Sequence, residues 1–210
     1  MKSLVVTNGM IHSLKHLHQL CLKHQHIICA DGAVRYLRKI DVFPTVVVGD
    51  LDSIISGDLH WIRTNDIPVI QYDTRKDFTD TEIAVRYALD QGSVSVTMTG
   101  SFGSRMDHSL GNLYLLKMIM DEGCEGLIDE AETEVRLISS FMRLSWIKGE
   151  TVSFIPISEV VKGVTLRGFE YSVTHESIHM GSSRCLSNVV AEDFQEVEVE
   201  QGLLAAIRNK

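Results

Sequence analysis

The sequence predicts an α/β domain built on a parallel sheet, followed by an antiparallel β-sandwich. Three observations carry this. Before about residue 130, short β-branched runs alternate with helical patterns five times, which implies βαβ units with right-handed crossovers. Past that point the β-branched runs continue, separated by Gly or Pro, and convincing helices are missing. The polar clusters of the first half all follow strands, where open α/β sheets bind ligands. The resulting domains are residues 1–130 and 131–210, joined without a long flexible linker.

Taken in order, residues 4–7 read as the first strand, stopped by Asn8-Gly9. A helix over 11–23 carries Leu14, Leu17, Leu20 and Cys21 as its apolar stripe. Residues 27–30 form a second strand, broken by Asp31-Gly32, and 33–39 are helical. Pro44 precedes a third strand, the β-branched run 46–48. A helix around 58–65 and a fourth strand at 68–71 lead into the loop 72–78. Thr79-Asp80-Thr81-Glu82 fits a capping box, and Ile83, Ala84, Tyr87 and Ala88 give the helix it opens a buried stripe. Residues 93–99 are a fifth strand. The helix 107–120 is apolar on most faces and is expected to be deeply packed. In the second half, strands are expected at 134–139, 151–155, 160–166, 170–174, 189–192 and 196–199.

Composition narrows the function. At 210 residues the chain can bury a proper core. A net charge of −8 argues against a nucleic-acid-binding face, which would be basic. Cys21, Cys29, Cys124 and Cys185 are scattered without a C-x-x-C, which reads as reduced thiols in a cytoplasmic protein. The apolar run at the N-terminus is too short for a signal peptide or a membrane span.

The chemistry is concentrated on one rim. Asn8, Asp31, Asp50 and Asp52, then Lys76, Asp77 and Asp80, then Arg105 and Asp107, all follow strands. Asp50 and Asp52 stand two apart, so on an extended chain both project to the same side. Two adjacent carboxylates repel unless a cation lies between them, and hard oxygen ligands suit Mg²⁺. Asp80 either favours the helix dipole or completes an oxygen-only set with Asp50 and Asp52; Lys76 and Arg105 would then touch phosphate oxygens that the metal leaves free, the other reading of Arg105 being a surface ion pair with Asp107. Gly100–Gly103 offers either backbone N–H groups to a nucleotide or only a loose turn. No Walker or dinucleotide-binding glycine motif is present. His175-Glu176-Ser177-Ile178-His179 matches H-E-x-x-H, but its neighbours favour a strand, on which the two imidazoles stand about 13 Å apart, too far for one ion. A D-x-D after an apolar strand also fits aspartyl-phosphate phosphatases and metal-dependent glycosyltransferases.

The set of motifs resembles the bacterial type of thiamine pyrophosphokinase over nearly the whole chain. Asp31-Gly32-Ala33 is similar to the family's D-G-G/A turn, Gly49-Asp50-Leu51-Asp52-Ser53 to G-D-x-D-S, and Lys76-Asp77-Phe78-Thr79-Asp80 to K-D-x-T-D. Gly103-Ser104-Arg105-Met106-Asp107-His108 resembles G-G-R-x-D-H, and Gly181-Ser182-Ser183-Arg184 with Ser187-Asn188 resembles G-S-S-R-x-x-S-N. Ser104 and Arg35 depart from the family's usual glycine and asparagine. The resemblance implies a nucleotide- and Mg²⁺-binding α/β domain, a thiamine-binding β-sandwich and a homodimer with active sites at the subunit interface. It implies transfer of pyrophosphate from ATP to the hydroxyl of thiamine, giving thiamine diphosphate and AMP. Asp50, Asp52 and Asp80 would hold the metal. Asn8, Asp31, Lys76, Thr79, Arg105, Asp107 and Asn112 would surround ATP, and Ser183, Ser187 and Asn188 would hold thiamine. Asp80 or Asp77 is the expected base. A non-catalytic thiamine or nucleotide sensor that kept the fold is the alternative from outside the enzymes.

Overall fold

The structure, a computed structural model, describes residues 1–72 and 77–210, so the expected role of Lys76 lies outside the described residues. The chain divides into two compact units, Met1–Ala131 and Glu132–Lys210.

The first unit is an α/β layer structure. Its strands are β1 (Lys2–Val6), β2 (His26–Ala30), β3 (Val46–Gly49), β4 (Val69–Gln71), β5 (Ser95–Thr99) and β6 (Glu125–Asp129). They pair in parallel in the order β6-β5-β1-β2-β3-β4. The central strands are apolar along their length because helices cover both faces: Leu4, Val5 and Val6 are fully buried, as are Val47 and Val48. From β1 the chain steps outward to β4, then returns to lay β5 on the other side of β1. The strand order therefore reverses between β1 and β5, the place where such sheets open a ligand crevice.

The helices are α1 (Leu14–Lys23), α2 (Val34–Lys39), α3 (Ser56–Thr64), α4 (Asp80–Asp90) and α5 (Met106–Asp121), with a single 3₁₀ turn at Asp31–Ala33 before α2. The Thr79 hydroxyl accepts the Glu82 N–H at 3.1 Å, so the capping motif sets the start of α4. Glu82 does not return the favour to the cap: its carboxylate takes Arg86 at 2.8 Å. The expectation that α5 is packed on most faces is corrected. Asn112, Leu115, Leu116 and Ile119 are buried, whereas Met106, Leu110 and Tyr114 are 71%, 47% and 57% exposed. One helix stripe is enough to close this core, and the second apolar face stays at the surface.

The second unit consists of two antiparallel sheets. One has β7 (Thr133–Ile138), β9 (Thr151–Pro156), β12 (Asn188–Val189) and β14 (Leu204–Asn209), in the order β12-β9-β14-β7. The other has β8 (Met142–Leu144), β10 (Val160–Arg167), β11 (Val173–His179) and β13 (Gln195–Glu198), in the order β11-β10-β13-β8. Val152, Phe154 and Leu204 of the first meet Val164, Leu166 and Val197 of the second in one core, as a sandwich requires. Burial along β9 alternates residue by residue, the period of a strand with one face inward.

A strand expected at 170–174 starts instead at Val173. The reason lies in Asn188, whose side-chain carbonyl accepts the Tyr171 N–H at 3.0 Å and whose amide donates to the Tyr171 carbonyl at 2.8 Å. These bonds hold the Tyr171 peptide in a turn and take it out of a ladder. β6, β8 and β14 are strands that the sequence reading does not expect.

Candidate active site

Three strand ends in the first unit bring carboxylates together. β2 ends at Ala30, and Asp31 then takes a left-handed backbone (φ 45°), which starts the 3₁₀ turn and leaves the residue 2% exposed. β3 ends at Gly49, where an added Cβ would stand 2.8 Å from the Cβ of Asp31, so only glycine permits this approach. Leu51 is also left-handed (φ 67°), and the Asp52 N–H donates to the Asp50 carboxylate at 3.1 Å. The expected extended geometry at Asp50 and Asp52 is therefore replaced by a turn. Non-glycine residues cost on the order of 1 kcal/mol or more each in this region, and such strain collects at functional sites.

Asp31, Asp50 and Asp52 each offer an oxygen within 4.8 Å of the others. The Ser53 hydroxyl donates to Oδ2 of Asp31, while Oδ1 is buried and has no hydrogen-bond partner. Burial pushes the Asp31 carboxyl up to about 6, with the charges of Asp80, Asp50 and Asp52 adding to it and the Gly32 N–H opposing. An orphaned buried carboxylate oxygen beside two further carboxylates is a donor set that fits a hard divalent cation. The expected third acid was Asp80. In the structure Asp31 completes the group of three, because its left-handed turn folds it over the end of β3. Asp80, the first residue of α4, lines the same cavity and acts on Asp31 through its charge.

That cavity has a volume of about 380 Å³, and its wall includes Asn8, Asp31, Thr79, Asp80, Arg105 and Asn112. Six of the residues expected to contact ATP or metal thus share one space at the β1/β5 reversal. Asp107 lies outside it, in an adjoining pocket of about 220 Å³ that shares Thr79, His108 and Asn112. Asp77 is exposed and does not line either space.

Two roles read from the sequence change with the geometry. Arg105 and Asp107 form a 2.6 Å ion pair, both about two-thirds exposed, and the arginine draws the Asp107 carboxyl down to about 2. Asn112 is buried and donates to the Ser101 carbonyl at 2.7 Å, so its amide holds the loop after β5. That loop is not an open cradle of N–H groups. The Gly100 and Ser101 N–H groups are donated to Glu130, and the Gly103 N–H to the Ser109 hydroxyl.

Arg35, Ser53, Ser101 and Glu130 belong to the site region although the sequence reading gave none of them a role there. Arg35 donates to the Asn8 side chain, to the Gly32 carbonyl at 3.1 Å and to the Tyr36 hydroxyl at 3.2 Å, all neutral acceptors. Its position inside a helical run gave no hint of this.

In the second unit, Ser183 and Ser187 are exposed on the loop before β12, and Ser187 is left-handed (φ 52°). Asn188 is 1% exposed and engaged with Tyr171, so its side chain shapes the loop from beneath. Arg184 is paired with Glu176 at 2.8 Å. His175 and His179 both lie on β11, as the neighbouring residues indicated, and not on a helix.

Asp31 sets a stability test. Its folded-state value of about 6 lies above the ordinary 3.8, so the stability it contributes is full below about pH 4 and is lost as pH rises through 6. Asp31→Asn is therefore expected to stabilise the metal-free protein at pH 8, by on the order of 1 kcal/mol, and to give no gain at pH 4. Thermal unfolding at the two pH values measures this; equal midpoints for variant and wild type at pH 8 would contradict it.

A family model described as "Thiamin pyrophosphokinase, catalytic domain" matches residues 17–128, and one described as "Thiamin pyrophosphokinase, vitamin B1 binding domain" matches 136–204. The chain is 27% identical over 190 residues to thiamine pyrophosphokinase of Bacillus subtilis, covering 89% of this chain and 88% of that protein. It is 27% identical to thiamine pyrophosphokinase 2 of Arabidopsis thaliana, over 87% of this chain and 78% of that one. The crystal structure of the Bacillus subtilis enzyme superposes with a TM-score of 0.92 at 25% identity, covering 100% of this chain and 99% of the other. That of thiamin pyrophosphokinase from Geobacillus thermodenitrificans gives 0.89 at 27% identity, over 100% and 98%.

Proposed function

The chain belongs to the thiamin pyrophosphokinase family, whose members use ATP, and from this premise we propose that it transfers the pyrophosphoryl group of ATP to the hydroxyl of thiamine, releasing AMP. The observation that carries the reading at the level of chemistry is the Asp31–Asp50–Asp52 cluster, of which Asp31 lines the cavity at the strand-order reversal.

Asp31, Asp50 and Asp52 would hold Mg²⁺, with Asp80 beside them, and the ion would supply charge neutralisation for the phosphates of ATP. The protein's own residues then have two tasks, alignment and proton transfer. The thiamine hydroxyl oxygen bonds to the β-phosphorus of ATP, the bond from that phosphorus to the oxygen of the α-phosphate breaks, and AMP leaves with that electron pair. Asp80 takes the hydroxyl proton; its place on the cavity wall supports it over the exposed Asp77. Asn8, Thr79, Arg105 and Asn112 shape the nucleotide space, with Asp107 in the adjoining pocket, and Lys76, outside the described residues, is the further cation for the phosphates. Arg35 supplies positive charge that no described carboxylate cancels.

The second unit would take thiamine through Ser183 and Ser187, with Asn188 holding the adjoining turn. The exposed apolar face of α5, Met106, Leu110 and Tyr114, supports a homodimer with active sites at the subunit interface. Four free cysteines support a cytoplasmic location. No described helix is long and apolar enough to cross a membrane.

Incubation with ATP, Mg²⁺ and thiamine, followed by chromatography of thiamine and its phosphates, tests the reading. Thiamine diphosphate should accumulate and should stop on addition of EDTA. Accumulation that continues unchanged in EDTA would overturn the metal-centred site.

A further inference from the structure

The loop that forms the β5 side of the cavity is fastened from behind by a residue that does not line it. β5 and β6 run in parallel register, with Met98 opposite Ile128. Continued by two residues, that register sets Gly100 opposite Glu130. The backbone ladder stops there, because Gly100 turns away with a left-handed φ of 71°. The Glu130 side chain takes over as acceptor: Oε1 receives the Ser101 N–H at 2.7 Å, and Oε2 receives the Gly100 N–H at 3.1 Å and the Thr99 hydroxyl at 3.3 Å.

The opposite edge of the same peptides is held by other elements. The Gly100 carbonyl accepts the Gly9 N–H at 2.9 Å, the Ser101 carbonyl accepts Asn112 at 2.7 Å, and the Phe102 carbonyl accepts the Met10 N–H at 2.7 Å. A carboxylate thus closes a clamp whose other jaw is the end of β1 and α5. Without it two consecutive N–H groups beneath the loop lose a charged acceptor, the stronger kind of hydrogen bond. The loop carries Ser101, Gly103, Ser104 and Arg105 to the cavity wall, next to Asn8 and Gly9.

We propose that Glu130 is a positioning residue of the transfer reaction, which fixes the β5 loop against the β1 turn and so sets the width of the nucleotide space. This inference rests on the pyrophosphokinase reading.

Glu130→Gln keeps the shape but offers one carbonyl where two oxygens stood, and turns an amide N–H₂ toward a backbone N–H. Three measurements on the full-length protein read the effect. Amide exchange at Gly100 and Ser101 should accelerate while Met98 and Ile128 in the ladder keep their protection. The KM for ATP should rise about tenfold with kcat changed less, since a shift of a fraction of an ångström in a substrate-positioning wall has effects of this order. Binding of Mn²⁺, which probes the acid cluster, should stay within about twofold. Should Glu130→Gln not accumulate as folded protein, Glu130→Asp, too short to reach both N–H groups, is read by the same three criteria. Wild-type kinetics in a folded variant would overturn the proposal, as would a loss of Mn²⁺ affinity in step with activity. A wild type that makes no thiamine diphosphate overturns the pyrophosphokinase reading instead.

Discussion

Asp52→Asn is expected to lower thiamine diphosphate formation about a thousandfold, several kcal/mol of lost charge neutralisation at the transferring phosphates. The substitution removes one unit of negative charge from a cluster whose three carboxylates approach within 4.8 Å. Asp52 is exposed and follows a left-handed residue in a turn, so no packing is lost. The protein should fold as wild type, with a thermal midpoint that is unchanged or raised because like-charge repulsion is relieved. The loss should appear in kcat and in Mn²⁺ affinity together. Activity within tenfold of wild type at saturating Mg²⁺ would contradict a role for Asp52 at the metal.

Arg208→Ala is expected to destabilise the second unit by about 3 kcal/mol, the range for removing one partner of a buried ion pair. The Arg208 guanidinium donates to both oxygens of Glu150, at 2.7 and 2.8 Å, and to Glu134 at 3.4 Å. Its side chain is 15% exposed, those of Glu150 and Glu134 are 13% and 9%, and its head group sits 5.9 Å from the Trp146 ring. Alanine leaves two largely buried carboxylates, although Arg136 still reaches Glu134 at 2.7 Å. Arg208 holds the Glu150 carboxyl below the usual range, chiefly through their hydrogen bond. The stability that Glu150 contributes is therefore present above its unfolded value and is lost as pH falls through its folded value. Chemical denaturation should show the full deficit at pH 7 and a smaller one in acid. A deficit below about 1 kcal/mol at pH 7 would place this network among ordinary surface pairs.

The central strands of the parallel sheet were legible because they are buried on both faces and read as unbroken β-branched runs, as at Val46–Gly49, whereas the less buried β6, Glu125–Asp129, holds a glycine and two acids and was not. The second unit was harder. β14 contains Leu204, Ala205 and Ala206, whose β-propensity is low, yet it lies between β7 and β9 and is held by both neighbours. Its strand character comes from tertiary pairing, which no local window records. β8 is three residues long and gives no period to detect.

The site shows the same division. Asn8, Asp31, Asp80 and Arg105 were read onto one rim because each follows a strand, and they line one cavity. Their partnerships were not legible. That Asp31 joins Asp50 and Asp52 depends on two left-handed residues, Asp31 itself and Leu51, whose side chains do not advertise φ above zero. That the Asn112 and Asn188 side chains bond to backbone depends on their burial. Glu130 escaped because its target, the Gly100–Ser101 peptide, is 30 residues away and adjacent only through strand register.

The central claim is that the attacked atom is the β-phosphorus of ATP and the acceptor is the thiamine hydroxyl. The ratio of products in a single reaction of ATP, Mg²⁺ and thiamine reads this directly. AMP and thiamine diphosphate should form in equal amounts, with neither ADP nor inorganic phosphate above the thiamine-free control. ADP with thiamine monophosphate would mean attack on the γ-phosphorus, and inorganic phosphate alone would mean a phosphatase; either contradicts the assignment.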